Sequence, residues 1–243
     1  MFRHARRCPP TFAITLAGLF GSALVPAAGR AGDAGASPGA GPASPFESEI
    51  RAFEAQDHRS PPPHGPIVFI GSSSIRLWTS LQQYFPSERV LNRGFGGSHI
   101  SDSVGFVERI VVPYAPPLVV MYAGGNDIDA GKTPAVVAAD FQAFTARVWS
   151  RLPRTPIAYI SIAPNPARWH EVDRVRGANS LIAAACQADP RLYFIDVFPR
   201  MLGADGKPRG ELFLEDRLHM NRHGYEVWIP LVRETIQAVL KRP

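Results

Sequence analysis

Five short, mostly apolar runs without alternation, each followed by a longer polar or amphipathic stretch, constrain this chain more than any other feature. The runs are PIVFIG, RVLN, PLVVMYAG, PIAYISI and LYFIDV, starting at Pro66, Arg89, Pro117, Pro156 and Leu192. Apolar side chains at successive positions, rather than alternate ones, describe strands covered on both faces. The stretches IRLWTSLQQYF, ISDSVGFVERIVV, TPAVVAADFQAFTARVWSRL and VDRVRGANSLIAAACQA place apolar residues at helical spacing. Such alternation predicts a parallel sheet with helices on both sides, a three-layer α/β/α domain without internal repeats. Before it, FESEIRAFEAQDH puts Phe46, Ile50 and Phe53 on one helical face, and RSPPPHGP ends that helix. A last helix is predicted over about 222–241.

The start of the chain follows another logic. MFRHARR is basic, TFAITLAGLFGSALV is apolar, and PAAGRAGDAGA is rich in small residues. That order predicts a secretory signal peptide over residues 1–28. The apolar run is shorter than the roughly 20 residues of a bilayer-spanning helix. The expectation is therefore a periplasmic or secreted protein whose mature chain does not insert stably in a membrane. Residues 29–45, almost entirely Gly, Ala, Pro and Ser, read as a linker, which leaves 46–243 as the folded domain. Arg3, Arg6, Arg7 and Arg30 belong to this N-terminal part. Without them 22 of the 26 basic residues face 21 acidic ones, a net charge of about +1. No basic stripe points to nucleic acid. Cys8 lies in the signal, so Cys186 stands alone, in an apolar helical context that suits a buried small residue better than a nucleophile.

In a doubly wound sheet, ligands bind at the carboxyl ends of the strands. The residues following the apolar runs are GSSS (71–74), NRGFGGSH (92–99), GGND (124–127) and APNPARWH (163–170), and EDRLHMNRHGY (215–225) precedes the last helix. Each has a structural explanation. Serines and glycines cap helices and form turns, and an Asn-Asp pair is a turn former. Asp127 and Asp129 could hold a metal, but two acids in a turn are usually structural. Together the segments meet a stricter demand. Serine-dependent ester hydrolysis needs a hydroxyl, a base within reach, a carboxylate to orient it, and donors aimed at the oxyanion. The GSSS corner offers the hydroxyl, the Asp-x-x-His turn the carboxylate and base, and a glycine corner and an asparagine the donors.

These segments resemble the conserved blocks of the SGNH (GDSL-type) hydrolase superfamily, and the resemblance runs over most of the chain beyond the linker. FIGSSSI matches the family's Gly-Asp-Ser block with Ser72 in the place of the aspartate, which implies Ser73 as nucleophile. NRGFGGS matches the second block and implies the Gly97 N–H as an oxyanion donor. GGN matches the third and implies the Asn126 amide as another, beside the N–H of Ser73 itself. Asp216 and His219 match the Asp-x-x-His block. The resemblance implies a flavodoxin-like, parallel five-stranded sheet and a serine esterase without metal or other cofactor. Serine at 72 accepts fewer hydrogen bonds than aspartate, so this corner is expected to be braced differently.

The resulting expectation is hydrolysis of short-chain acyl or acetyl esters, of small molecules or glycans, through an acyl-enzyme. Two alternatives stand beside it: an O-acyltransferase of the cell envelope with the same site, and a catalytically silent binding protein. Asn165, Arg168 and Trp169 are expected to line the substrate pocket. His99, next to Gly97, is a further candidate for substrate contact. His58 and His64 flank the proline-rich connector, and His170 and His223 are expected at the surface.

Overall fold

The computed structural model describes residues 44–241; the expected signal peptide and all but the last two residues of the linker lie outside the described residues. Among them, the five apolar runs form the strands β1 (Ile67–Gly71), β2 (Val90–Gly94), β3 (Val119–Tyr122), β4 (Ile157–Ile160) and β5 (Leu192–Ile195). All pair in parallel, in the order β2-β1-β3-β4-β5. Alternate residues enter opposite cores. Val68, Ile70, Val119, Met121, Ile157 and Tyr159 point to one face, Ile67, Phe69, Val120, Ala158 and Ile160 to the other. Each of the larger side chains, fully buried, contributes roughly 1.5–3 kcal/mol, which is why β1, β3 and β4 are apolar throughout.

The first face is covered by α1 (Glu47–Arg59), α4 (Ile100–Ile110), α6 (Pro134–Trp149) and α7 (Val172–Ala188), the second chiefly by α8 (Arg222–Leu240) and the segment after β1. Thr133 Oγ1 caps α6 by accepting from Val136 N, with Pro134 as first helical residue, and Asn221 caps α8 by accepting from Gly224 N. Cys186 is buried against the first core, and burial pushes its thiol up to about 12, as suits a packing residue. None of the described helices is long and apolar enough to cross a membrane.

Two segments depart from the helices and turns read in the sequence. The helix expected over 75–85 is broken into α2 (Ser73–Arg76) and α3 (Leu81–Tyr84). The Asn92 amide donates to Ile75 O at 2.6 Å, and the Trp78 ring drops into the core against Phe69, Phe85, Tyr225 and Trp228. The turn expected at GGND is a short helix, α5 (Gly125–Asp129). Its Asp127 is fully buried and accepts from Ile100 N at the start of α4 and from Lys132 Nζ at 2.7 Å, the structural role weighed against metal binding. The described residues contain no group of three or more metal-ligating side chains.

Helix α1 is tied to α4 by charge. The Glu47 and Glu54 carboxylates both bond Arg109 at 2.7 Å, and Glu47 also bonds Arg51. These guanidinium contacts hold the Glu47 carboxyl at about 2. A carboxylate depressed in the folded state stabilises fully above its ordinary range and loses that contribution as pH falls through its folded value. These side chains are only partly buried and solvent screens their contacts, so the effect is small. Glu47→Gln is expected to lower the melting temperature by less than about 3 °C at pH 6, with the difference vanishing near pH 2. A difference that grew on acidification would contradict this linkage.

Candidate active site

The strand register puts the candidate residues on one rim. Gly71 pairs with Gly94 of β2 and with Tyr122 of β3, so the chain leaves all three strands at the same level. Strand order also reverses here, since β1 lies between β2 and β3 and the chain continues to opposite sides. This is the crevice where open α/β sheets bind ligands. Gly71 makes the corner possible: its φ is +138°, and a Cβ there would lie 1.9 Å from the Tyr122 carbonyl oxygen.

Ser73 is the first residue of α2, directly after this corner. Its Oγ lies 3.0 Å from His219 Nε2, and His219 Nδ1 lies 2.6 Å from Asp216 Oδ2. An ionised carboxylate only accepts, so Nδ1 carries the proton and Nε2 faces the hydroxyl as acceptor. Asp216 Oδ1 accepts from the backbone N–H groups of Leu218 and His219, both at 2.9 Å. The His219 side chain and these two amides hold the Asp216 carboxyl down to about 2, so it is charged at any pH where the protein would be assayed. The acid and base share one tight turn. Leu214 N donates to His219 O at 2.8 Å, Phe213 bridges Met220, and Arg217 takes a left-handed φ of 58°.

Ser72 N–H donates to Tyr122 O at 3.0 Å, but its side chain makes no capping bond. The corner is tied to α8 by the Tyr225 hydroxyl, which donates to Ser74 O at 2.9 Å.

Asn126, on α5, donates from Nδ2 to Ser98 O at 3.1 Å and accepts on Oδ1 from Arg168 Nη1 at 3.0 Å. Gly97, beside Ser98, is exposed with a φ of +76°. A small cleft is lined by Ser73, Asn126 and His219 together with Tyr122, Asn165 and Arg168. Of the three residues expected around the substrate, Asn165 and Arg168 therefore line it. Trp169 does not; its ring packs on the core and under the Arg176 guanidinium. His99 occupies the cap position of α4, with its N–H on Asp102 Oδ2, and is not among the lining residues. His58, His64, His170 and His223 are exposed. The cleft residues missed in the sequence include Tyr122, Ile162, Ala163 and Leu218. Tyr122 reads there only as part of an apolar strand; Leu218 stands inside the Asp-x-x-His block without chemistry of its own.

The model of the GDSL-like lipase/acylhydrolase family matches residues 71–227, from the corner glycine into α8. The chain is 28% identical over 169 residues to platelet-activating factor acetylhydrolase IB subunit alpha1 of Homo sapiens, covering 65% of this chain and 70% of that protein. Its Bos taurus counterpart is equally similar, at 28% over 65% and 69%. Among solved structures, a candidate acylhydrolase from Bacteroides fragilis superimposes with a TM-score of 0.68 at 19% identity, covering 80% of this chain and 98% of the other. A GDSL-like lipase from Bacteroides thetaiotaomicron gives 0.66 at 18%, covering 79% and 98%. The fold is thus the SGNH hydrolase fold, and the chain belongs to the GDSL-like lipase/acylhydrolase family of hydrolases.

Proposed function

We propose that this protein hydrolyses carboxylic esters of short acyl groups, with Ser73 as nucleophile. The observation that carries this reading is the unbroken line from Asp216 Oδ2 through the His219 ring to Ser73 Oγ, at 2.6 and 3.0 Å. His219 takes the hydroxyl proton as Oγ attacks the ester carbonyl, and returns it to the leaving alcohol. Asp216 keeps the ring in the working tautomer and balances the charge of the imidazolium. The N–H groups of Ser73 and Gly97 and the Asn126 amide stabilise the oxyanion. Water, activated by the same histidine, then attacks the acyl-enzyme, which releases the acid and frees Oγ.

The preference for a short acyl group rests on the cleft. It is small and mostly polar, with Tyr122, Ile162, Ala163 and Leu218 as its apolar wall. An acetyl group fits such a wall, whereas a long chain would find no apolar trough to bury its methylenes, each worth about 0.8 kcal/mol. The polar side formed by Asn165 suits an alcohol rich in hydroxyls, such as a sugar. Export to the periplasm or the medium is part of the reading and rests on the basic, apolar and small-residue order of residues 1–28; full-length intact mass after export would contradict cleavage.

The test is a screen of p-nitrophenyl esters from C2 to C16 with an acetylated polysaccharide alongside, preceded by labelling with a fluorophosphonate. Covalent labelling at Ser73 and turnover falling steeply beyond C4 are expected. Absence of labelling would favour a silent binding module, and a preference for C12 or longer esters would refute the short-acyl reading.

A further inference from the structure

We infer that Arg168 is the residue that orients the Asn126 side chain as an oxyanion donor, rather than a substrate contact. This deepens the reading above and rests on Asn126 serving the oxyanion. A side-chain amide has a donating NH2 and an accepting oxygen of nearly the same shape, and a half-turn about its last torsion exchanges them. Only the NH2 can stabilise an oxyanion. An asparagine on a cleft wall with neither end held would spend part of its time turned the wrong way.

Here both ends are held. Arg168 Nη1 donates to Asn126 Oδ1 at 3.0 Å, and Ser98 O accepts from Nδ2 at 3.1 Å. A guanidinium has five donors and no acceptor. Turning the amide would set N–H against N–H on one side and carbonyl against carbonyl on the other. Ser98 takes one of the two Nδ2 protons, which leaves the second for the substrate. The positive charge behind Oδ1 also polarises the amide and strengthens that remaining N–H.

Arg168 is itself fixed. Its Nη2 pairs with Asp129 Oδ2 at 2.9 Å, and its backbone N–H donates to Asn165 Oδ1 at 2.9 Å. Asp129 stands three residues after Asn126 on α5, so the guanidinium bridges neighbouring positions of one helix. Asn126 and Asp129 take two of the guanidinium donors, and Asp129 matches its charge, so the Arg168 charge is already engaged before a neutral ester binds. Its loss should therefore register in turnover rather than in substrate affinity. Lysine could supply the charge but not the forked pair of donors.

Steady-state kinetics on p-nitrophenyl acetate test this with Arg168→Met, which keeps the length of the side chain and removes its donors. The expected result is kcat lower by about 10- to 100-fold with KM within about twofold of the parent. Asn126→Ala is expected to lose about 100- to 1000-fold. The double variant should be no slower than Asn126→Ala alone, because there is then no amide to orient. Asp129→Asn, at a half-exposed position, should lose about 3- to 10-fold in kcat by loosening the guanidinium, and Arg168→Lys should recover part of the loss seen in Arg168→Met. A raised KM with unchanged kcat in Arg168→Met, or losses that multiply in the double variant, would overturn the inference. Full activity in Asn126→Ala would instead overturn the oxyanion role of Asn126. If Arg168→Met fails to fold, unchanged kcat in Asp129→Asn overturns the orienting role by itself.

Discussion

Ser73→Ala is expected to lower kcat/KM on p-nitrophenyl acetate by about 10⁴- to 10⁶-fold while the protein folds as before. The hydroxyl is bonded to His219 Nε2, so its removal takes away the attacking atom without uncovering a buried polar group. The backbone of the corner keeps its bonds: Leu77 N to Ser73 O at 2.8 Å and Ser72 N to Tyr122 O at 3.0 Å involve no serine side chain. Alanine is also the best helix former at the first position of α2. Fluorophosphonate labelling should disappear, and the circular dichroism spectrum should match the parent. What remains is the activity of a cleft that still binds ester and presents oxyanion donors to water. Turnover equal to the parent's would remove Ser73 from the reaction.

Asp216→Asn is expected to cost about 10⁴-fold in kcat, and to be at least as damaging as Asp216→Ala. The reason lies in the two backbone N–H groups on Asp216 Oδ1. In the asparagine variant the same two donors claim the amide oxygen, which turns the NH2 toward His219 Nδ1. That nitrogen must then accept, so the proton moves to Nε2 and the ring faces Ser73 as a donor. Alanine merely releases the ring, whereas asparagine holds it in the wrong tautomer. Acid inactivation of the parent enzyme between pH 7 and 4 should not come from this carboxylate, because its partners hold it at about 2. A kcat for Asp216→Asn within tenfold of the parent's would show that the ring needs no such guide.

Much of the fold could be read from the chain because its three central strands are buried on both faces and therefore lack alternation, as in Ile67–Gly71 with every residue covered. The proposed triad residues were legible through their resemblance to two family blocks, each local in the chain: Asp216 and His219 are three apart, and Ser73 comes two residues after the end of β1. What escaped depends on contacts distant in sequence. The break between α2 and α3 is set by Asn92 and by the burial of Trp78, which a helical pattern does not encode. Trp169 followed Arg168 in a polar, aromatic stretch and was read as a cleft residue, yet its ring serves the core. Arg168 itself was recognisable as a cleft residue, but its partners Asn126 and Asp129 lie about forty residues away on α5, and nothing in local spacing announces that pairing.

The turn of residues 213–220 carries both the carboxylate and the imidazole, locked together by their own backbone. Mechanically it is a cartridge: when it tilts, the two travel as a block and only the gap to the serine changes. Damage to its mounts, the Asn221 bonds to Glu211 and Phe213 or the Ala167 bond to Arg217, should thus slow the enzyme while leaving the outline of its pH profile intact. Injury inside the cartridge should deform that outline. The shape of the curve, set beside its height, tells a mechanic which part has failed.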